Sequence, residues 1–151
     1  MAESTPLRLG VSYFGNRYPR HAERDLAAMA AMGADYVVHV MAEADLRWNP
    51  GTMRQLLAIG RAHGLASWLA PWGLGGVFGG EAPSYAVGEH PAACQRDNLG
   101  APLPALCPRQ PAFWTLIDAW LDAAVASGAE VVLWDEPHLG AGGLPDGRWA
   151  C

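Results

Sequence analysis

The sequence predicts an α/β fold in which parallel strands alternate with helices, either as a partial TIM (β/α)8 barrel or as a small open parallel sheet. Three observations predict it. One phrase occurs three times, at "AAMAAMGADYVVHV" (27–40), "LLAIGRAHGLASWLA" (56–70) and "LDAAVASGAEVVLWD" (121–135): an Ala-rich segment of helical period, a glycine, then a short apolar run. The apolar runs are continuous instead of alternating, as in strands covered on both faces. Residues able to do chemistry gather after these runs, which is where parallel α/β folds keep their sites.

The elements follow in order. "LRLGVSY" (7–13) opens the chain as a strand. Gly33 stops the first helix, because glycine takes the left-handed conformation there without steric cost, and the second strand spans about 36–40. Asn49 and Pro50 suit the cap and first position of the next helix; Met53, Leu56, Leu57 and Gly60 share its inner face, and Gly64 ends it. After a third strand at about 66–71 the chain enters "APWGLGGVFGGEAPSY" (70–85) and resumes no helix until about Pro111. Excursions of that length are usually functional or disordered. Trp72, Phe78 and Tyr85 among the glycines favour an ordered binding loop. Phe113, Ile117, Trp120 and Ala124 form the stripe of the last helix, Gly128 ends it, and the fourth strand spans about 130–135. The expected strand order is 1-2-3-4.

With 151 residues, 51% of them hydrophobic, the chain can bury one core, so 1–151 is read as a single domain. A formal charge of −5 offers no basic footprint, so nucleic acid is not an expected partner. No apolar run approaches a membrane span, and "MAESTPLRLG" lacks the apolar core of a secretory signal; no membrane association and a cytoplasmic location are expected. Cys94, Cys107 and Cys151 are unpatterned and read as free thiols, although Cys151, as the last residue, could open a ligand cluster lying beyond this chain. The glycines at 73–80 do not make a dinucleotide loop: Phe78 stands where the third glycine is needed, and no helix opens behind it. His39, Glu43, Asp135, Glu136 and His138 could in principle gather around an ion. There is no HxH on the first strand and no HExxH, so neither metal nor cofactor is expected.

What remains is carboxylates among aromatics. Seven tryptophans is a high load for this length, and Trp48, Trp68, Trp72, Trp134 and Trp149 are placed on or near strand ends and loops. Indole faces pack on the C–H faces of sugar rings, while Asp, Glu, Asn, Arg and His bind hydroxyls. The candidate site takes Tyr13, Asn16 and Arg17 after the first strand, with Ser12 and Phe14 beside them. The second strand delivers His39, then Glu43 and Asp45, and Trp72 and Glu81 lie in the long loop. Trp134, Asp135, Glu136 and His138 come from the fourth. Glu136, between Trp134 and Pro137, has the apolar neighbours that raise a carboxyl pKa for general-acid work. The alternative is that Asp135 or Glu136 caps a helix or pairs with an arginine.

"LWDEPH" resembles the Asn-Glu-Pro signature that ends the fourth strand in the (β/α)8-barrel glycoside hydrolases. "LAPWGLGGVFGGEAPS" and "FWTLIDAWLDAAVASGAEVVLWDEPHL" also resemble bacterial barrel proteins identified as glycosidase-like. The resemblance implies that Glu136 is the acid/base and that Asp135 takes the place of the sugar-binding asparagine, where its charge would raise the Glu136 pKa further. The implied function is a glycoside hydrolase-like protein acting on or binding a carbohydrate. Two alternatives stand beside it: a non-catalytic carbohydrate- or protein-binding module, and a barrel similar to cobalamin-independent methionine synthases, in which a "DEP" acid holds an amino group.

A full barrel needs about 250 residues, so the chain is expected to be its N-terminal half, incomplete or completed by another chain. Retaining cleavage needs two carboxyls about 5–5.5 Å apart and inverting cleavage about 6.5–9.5 Å. Asp135 and Glu136 are neighbours on an extended strand end and point apart. In the family resembled, the nucleophile comes from the seventh strand, which leaves Glu43 and Glu81 as local substitutes. The 151 residues alone are therefore expected to be inactive, and to self-associate through the open edges of strands one and four.

Overall fold

The chain runs β1 (Gly10–Tyr13), α1 (Pro19–Ala31), β2 (Tyr36–Ala42), α2 (Glu43–Trp48), α3 (Thr52–Ala62), β3 (Ala66–Trp72), α4 (Tyr85–Glu89), β4 (Cys94–Arg96), β5 (Pro102–Leu106), α5 (Pro111–Ser127) and β6 (Val131–Val132). The computed structural model describes residues 7–80, 82–135, 137 and 139. β1, β2, β3 and β6 form one parallel sheet in that order, with Gly10 beside Tyr36, Tyr36 beside Ala66, and Trp68 beside Val131. β4 and β5 make a separate antiparallel pair within the β3–α5 connection. The fold is α/β, as expected, and the described sheet is open, not a closed barrel.

Sequential strand order decides where the helices go. Right-handed crossovers that always step to the next strand lay every helix on the same side. Accordingly Val37, Met41 and Leu69 share one core with Leu26 of α1, Leu56 and Leu57 of α3, and Phe113, Ile117, Trp120 and Ala124 of α5. The opposite face holds Val38, Val40 and Ala70, with Tyr36 and Trp68 packed against them and no helix residue among them. A doubly wound sheet, whose strand order reverses, would cover both faces.

The helix stops hold: Gly33, Gly64 and Gly128 take φ of 88°, 78° and 82°. The start at Asn49 does not. Asn49 closes α2, donating its N–H to the Asp45 carbonyl at 3.1 Å, and α3 begins at Thr52. The unforeseen helix α2 forms because the Asp45 carboxylate accepts the Ala42 N–H at 2.8 Å, tying down a free donor at its start.

The 72–110 excursion is ordered, but it is not free of secondary structure. The Ser84 hydroxyl accepts the Val87 N–H at 3.2 Å and caps α4. Asp97 accepts the Leu99 and Ala101 N–H groups at 2.9 and 2.8 Å, forming the turn between β4 and β5. The glycines before α4 serve close approach: a Cβ on Gly76 would lie 2.2 Å from the Pro104 carbonyl oxygen, and one on Gly79 2.0 Å from that of Pro71. Cys94 and Cys107 are free. Among the described residues no helix is long and apolar enough to cross a membrane.

Candidate functional site

The carboxyl edge of the sheet carries the long loop on β3 and the end of β6 side by side. Trp72 is the last residue of β3, the loop folds back so that Leu74 bridges Phe78, and the Gly79 N–H then donates to the Asp135 carbonyl at 3.1 Å. The loop and the strand end that leads to Glu136 therefore share one edge, as expected. Glu136, His138 and Glu81, like Trp149 and Cys151, lie outside the described residues.

One side chain sets the loop in place. Glu43, 3% exposed, accepts the Gly75 N–H at 2.8 Å, the Ser84 hydroxyl at 2.6 Å and the Ala86 N–H at 2.9 Å. The sequence offered this carboxylate as a local substitute for the missing second acid. The structure corrects that: its oxygens are committed to the loop backbone and it faces no open space.

The other expected site residues divide by the face on which they sit. Tyr13 and His39 are register partners with the parity of Val37 and Met41, so they point into the helix layer. The Tyr13 hydroxyl donates to Asp25 of α1 at 2.6 Å, and Asn16 donates its side-chain N–H to that hydroxyl and to Asp25. Burial, and then the hydrogen bond donated to Asp25 and the charge of that carboxylate, push the Tyr13 pKa up to about 12. His39 meets the Tyr13 ring edge-on at 5.8 Å and is 1% exposed. Its Nε2 has no hydrogen-bond partner. Burial, followed by the nearby Arg17 charge, lowers its pKa to about 4, so it is neutral at pH 7. Arg17 grips Asp45 through two nitrogens at 2.5 and 2.7 Å and donates to the Val40 carbonyl at 2.7 Å. Tyr13, Asn16 and Arg17 thus spend their polar groups within the fold at the β1 and β2 ends, with His39 buried against the Tyr13 ring.

Trp134 also turns to the helix side, where it packs on Phe78 at 4.8 Å and on the buried Trp120 at 5.5 Å. Trp48 is the exposed last residue of α2, and Trp68 sits inside β3, not at its end, stacked on Tyr36 at 4.2 Å. Trp72 is the exception. It shares the parity of Ala42, faces the helix-free side, and meets Phe14 edge to face at 5.5 Å. Phe14 was placed beside the expected site residues but given no role among them. The available signal was its place directly after Tyr13: if Tyr13 turns to the helices, the next extended residue turns away. Among the described residues, no three of His, Cys, Asp and Glu gather closely enough to hold a metal ion.

No known family profile matches the sequence, and no curated protein does. Among solved structures, the chain is similar to a Glu-to-Ala variant of a GH5_18 protein from Bifidobacterium longum subsp. longum, crystallised in complex with Manb1-4GlcNAc. The sequences are 14% identical and the TM-score is 0.43. The match takes in 93% of this chain and 45% of that one, so this chain spans less than half of its length.

Proposed function

We propose that the protein is glycoside hydrolase-like and takes a carbohydrate at the carboxyl edge of its sheet, with Glu136 as general acid/base and Trp72 and Asp135 as ligand contacts. The observation that carries this reading is the seating of the ordered loop against Asp135 while Trp72 stays exposed, which brings an open aromatic face to the strand end that leads into Glu136. Tyr13, Asn16, Arg17, His39 and Trp134 support the floor of this site instead of touching ligand. The open sheet face fits one half of a (β/α)8 barrel, and four further βα units would cover Val131 and Leu133, each 38% exposed. With Glu43 committed elsewhere, binding is the activity expected of the described half, and hydrolysis requires a second carboxylate facing Glu136.

Measuring binding and cleavage separately tests this reading. A panel of oligosaccharides titrated by calorimetry should show binding, and Glu136→Gln should leave binding in place while abolishing any hydrolysis. Binding with no hydrolysis in any form of the protein would favour a carbohydrate-binding module. Absence of binding to every saccharide at millimolar concentration would refute the proposal.

A further inference from the structure

We infer that Phe14 and Trp72 form a two-walled subsite for a pyranose bearing a methyl-containing substituent, either an acetamido group or the methyl of a 6-deoxy sugar; this rests on the carbohydrate reading above. The two rings come from strands that are not neighbours. β2 lies between β1 and β3, and its last residue, in register with Trp72, is Ala42. A methyl side chain there leaves room for the rings to meet above the strand end.

They meet at an interplanar angle of 71°, and both stay open to solvent, Phe14 at 53% and Trp72 at 38%. An aromatic pair that served only packing would bury its faces; this one keeps two apolar walls standing at nearly a right angle. A plain hexose can satisfy one wall. Its C–H face lies on an aromatic ring, but its edges carry hydroxyls, which lose hydration against the second wall without gaining a hydrogen bond. A methyl group on the sugar's edge removes that mismatch and lets both walls be covered by C–H.

The test compares N-acetylglucosamine, L-fucose and glucose as free sugars by saturation-transfer NMR and competition on the full chain. At least one of the two methyl-bearing sugars should bind about two- to tenfold tighter than glucose, the range expected for one additional aromatic contact; which one does identifies the substituent. Phe14→Ala should bring that sugar to the level of glucose, Phe14→Leu should retain part of the preference, and Trp72→Ala should weaken all three. Both rings are exposed, so the variants should keep the wild-type circular dichroism spectrum. Equal binding of all three sugars, or a preference that survives Phe14→Ala, overturns the inference and leaves the carbohydrate reading standing. No binding of these three sugars while an oligosaccharide still binds overturns the inference alone; no binding of any saccharide overturns both.

Discussion

Two groups of side chains share the carboxyl edge of the sheet and differ in the face they occupy. On the helix side, Tyr13, Asn16, Asp25, Arg17 and Asp45 satisfy one another through short hydrogen bonds. On the helix-free side, Phe14 and Trp72 meet each other and then face solvent. The first group has spent its bonding capacity on the fold and the second has not. In this sheet, with helices on one face alone among the described residues, the strand-end residues left open are those whose parity turns them away from the helices. Tyr13 and Phe14 are adjacent and fall on opposite sides of that divide.

Substitutions on the helix side should cost stability, and substitutions on the open side should cost binding. The largest effect is expected at Glu43. Glu43→Ala leaves the buried Gly75 and Ala86 N–H groups without an acceptor, and at about 1–3 kcal/mol for each group the loss should reach roughly 4 kcal/mol in urea unfolding. A loss under about 1 kcal/mol would mean that the loop holds itself.

His39 comes next, through pH. Its folded pKa is near 4, against 6.5 when unfolded. Above pH 6.5 both states are neutral and nothing changes. Between 6.5 and 4 the unfolded chain takes up a proton that the folded chain refuses, so stability falls as pH drops, by up to about 3 kcal/mol, and this contribution levels off below 4. The difference in unfolding free energy between wild type and His39→Leu, followed from pH 7.5 to 4, should carry this slope. Parallel profiles would show that His39 titrates normally.

A smaller loss is expected at Gly76, where φ is +67° and a Cβ would overlap the Pro104 oxygen. Gly76→Ala should lower stability by about 2 kcal/mol, by left-handed strain and by displacement of the β5 backbone. The smallest stability effect belongs to the open side: Trp72→Ala should shift unfolding by less than about 0.5 kcal/mol while weakening saccharide binding several-fold. If Trp72→Ala instead unfolds the protein, the contrast between the two faces fails.

Much of the architecture was legible in the sequence, because it rests on patterns that local chemistry enforces. The stops at Gly33, Gly64 and Gly128, the stripe from Phe113 to Ala124 and the continuous apolar runs each follow from a local rule. Sequential order belonged to the half-barrel reading, since a doubly wound sheet has the same runs in another order. What escaped depended on partners distant in the chain. Asn49 has the chemistry of a helix start, but the turn before it was already taken by Asp45, which is itself held by Arg17. Glu43 looked like a free acid because its partners lie in the loop and in α4. The order and direction of the strands were read correctly, but β2 runs on to Ala42 and β6 covers only Val131–Val132 of the expected 130–135, and the division of the side chains between faces was not read. Tyr13 and His39 were therefore assigned to the candidate site, whereas their side chains turn into the helix layer.

The Glu43 clamp also orders events in time. Its partners Gly75, Ser84 and Ala86 lie 32, 41 and 43 residues further along the chain, and contacts across such separations close late because the intervening chain must first be gathered. The loop can settle only after β2 and α2 are seated, since until then its anchor has no fixed position. β1 and β2 can pair without it, since their register uses no residue of the loop. The aromatic corner needs both Phe14, directly after β1, and Trp72, at the root of the loop. It therefore forms only once β3 has joined β1 and β2, so ligand protection of Trp72 would report on a sheet with these three strands in place.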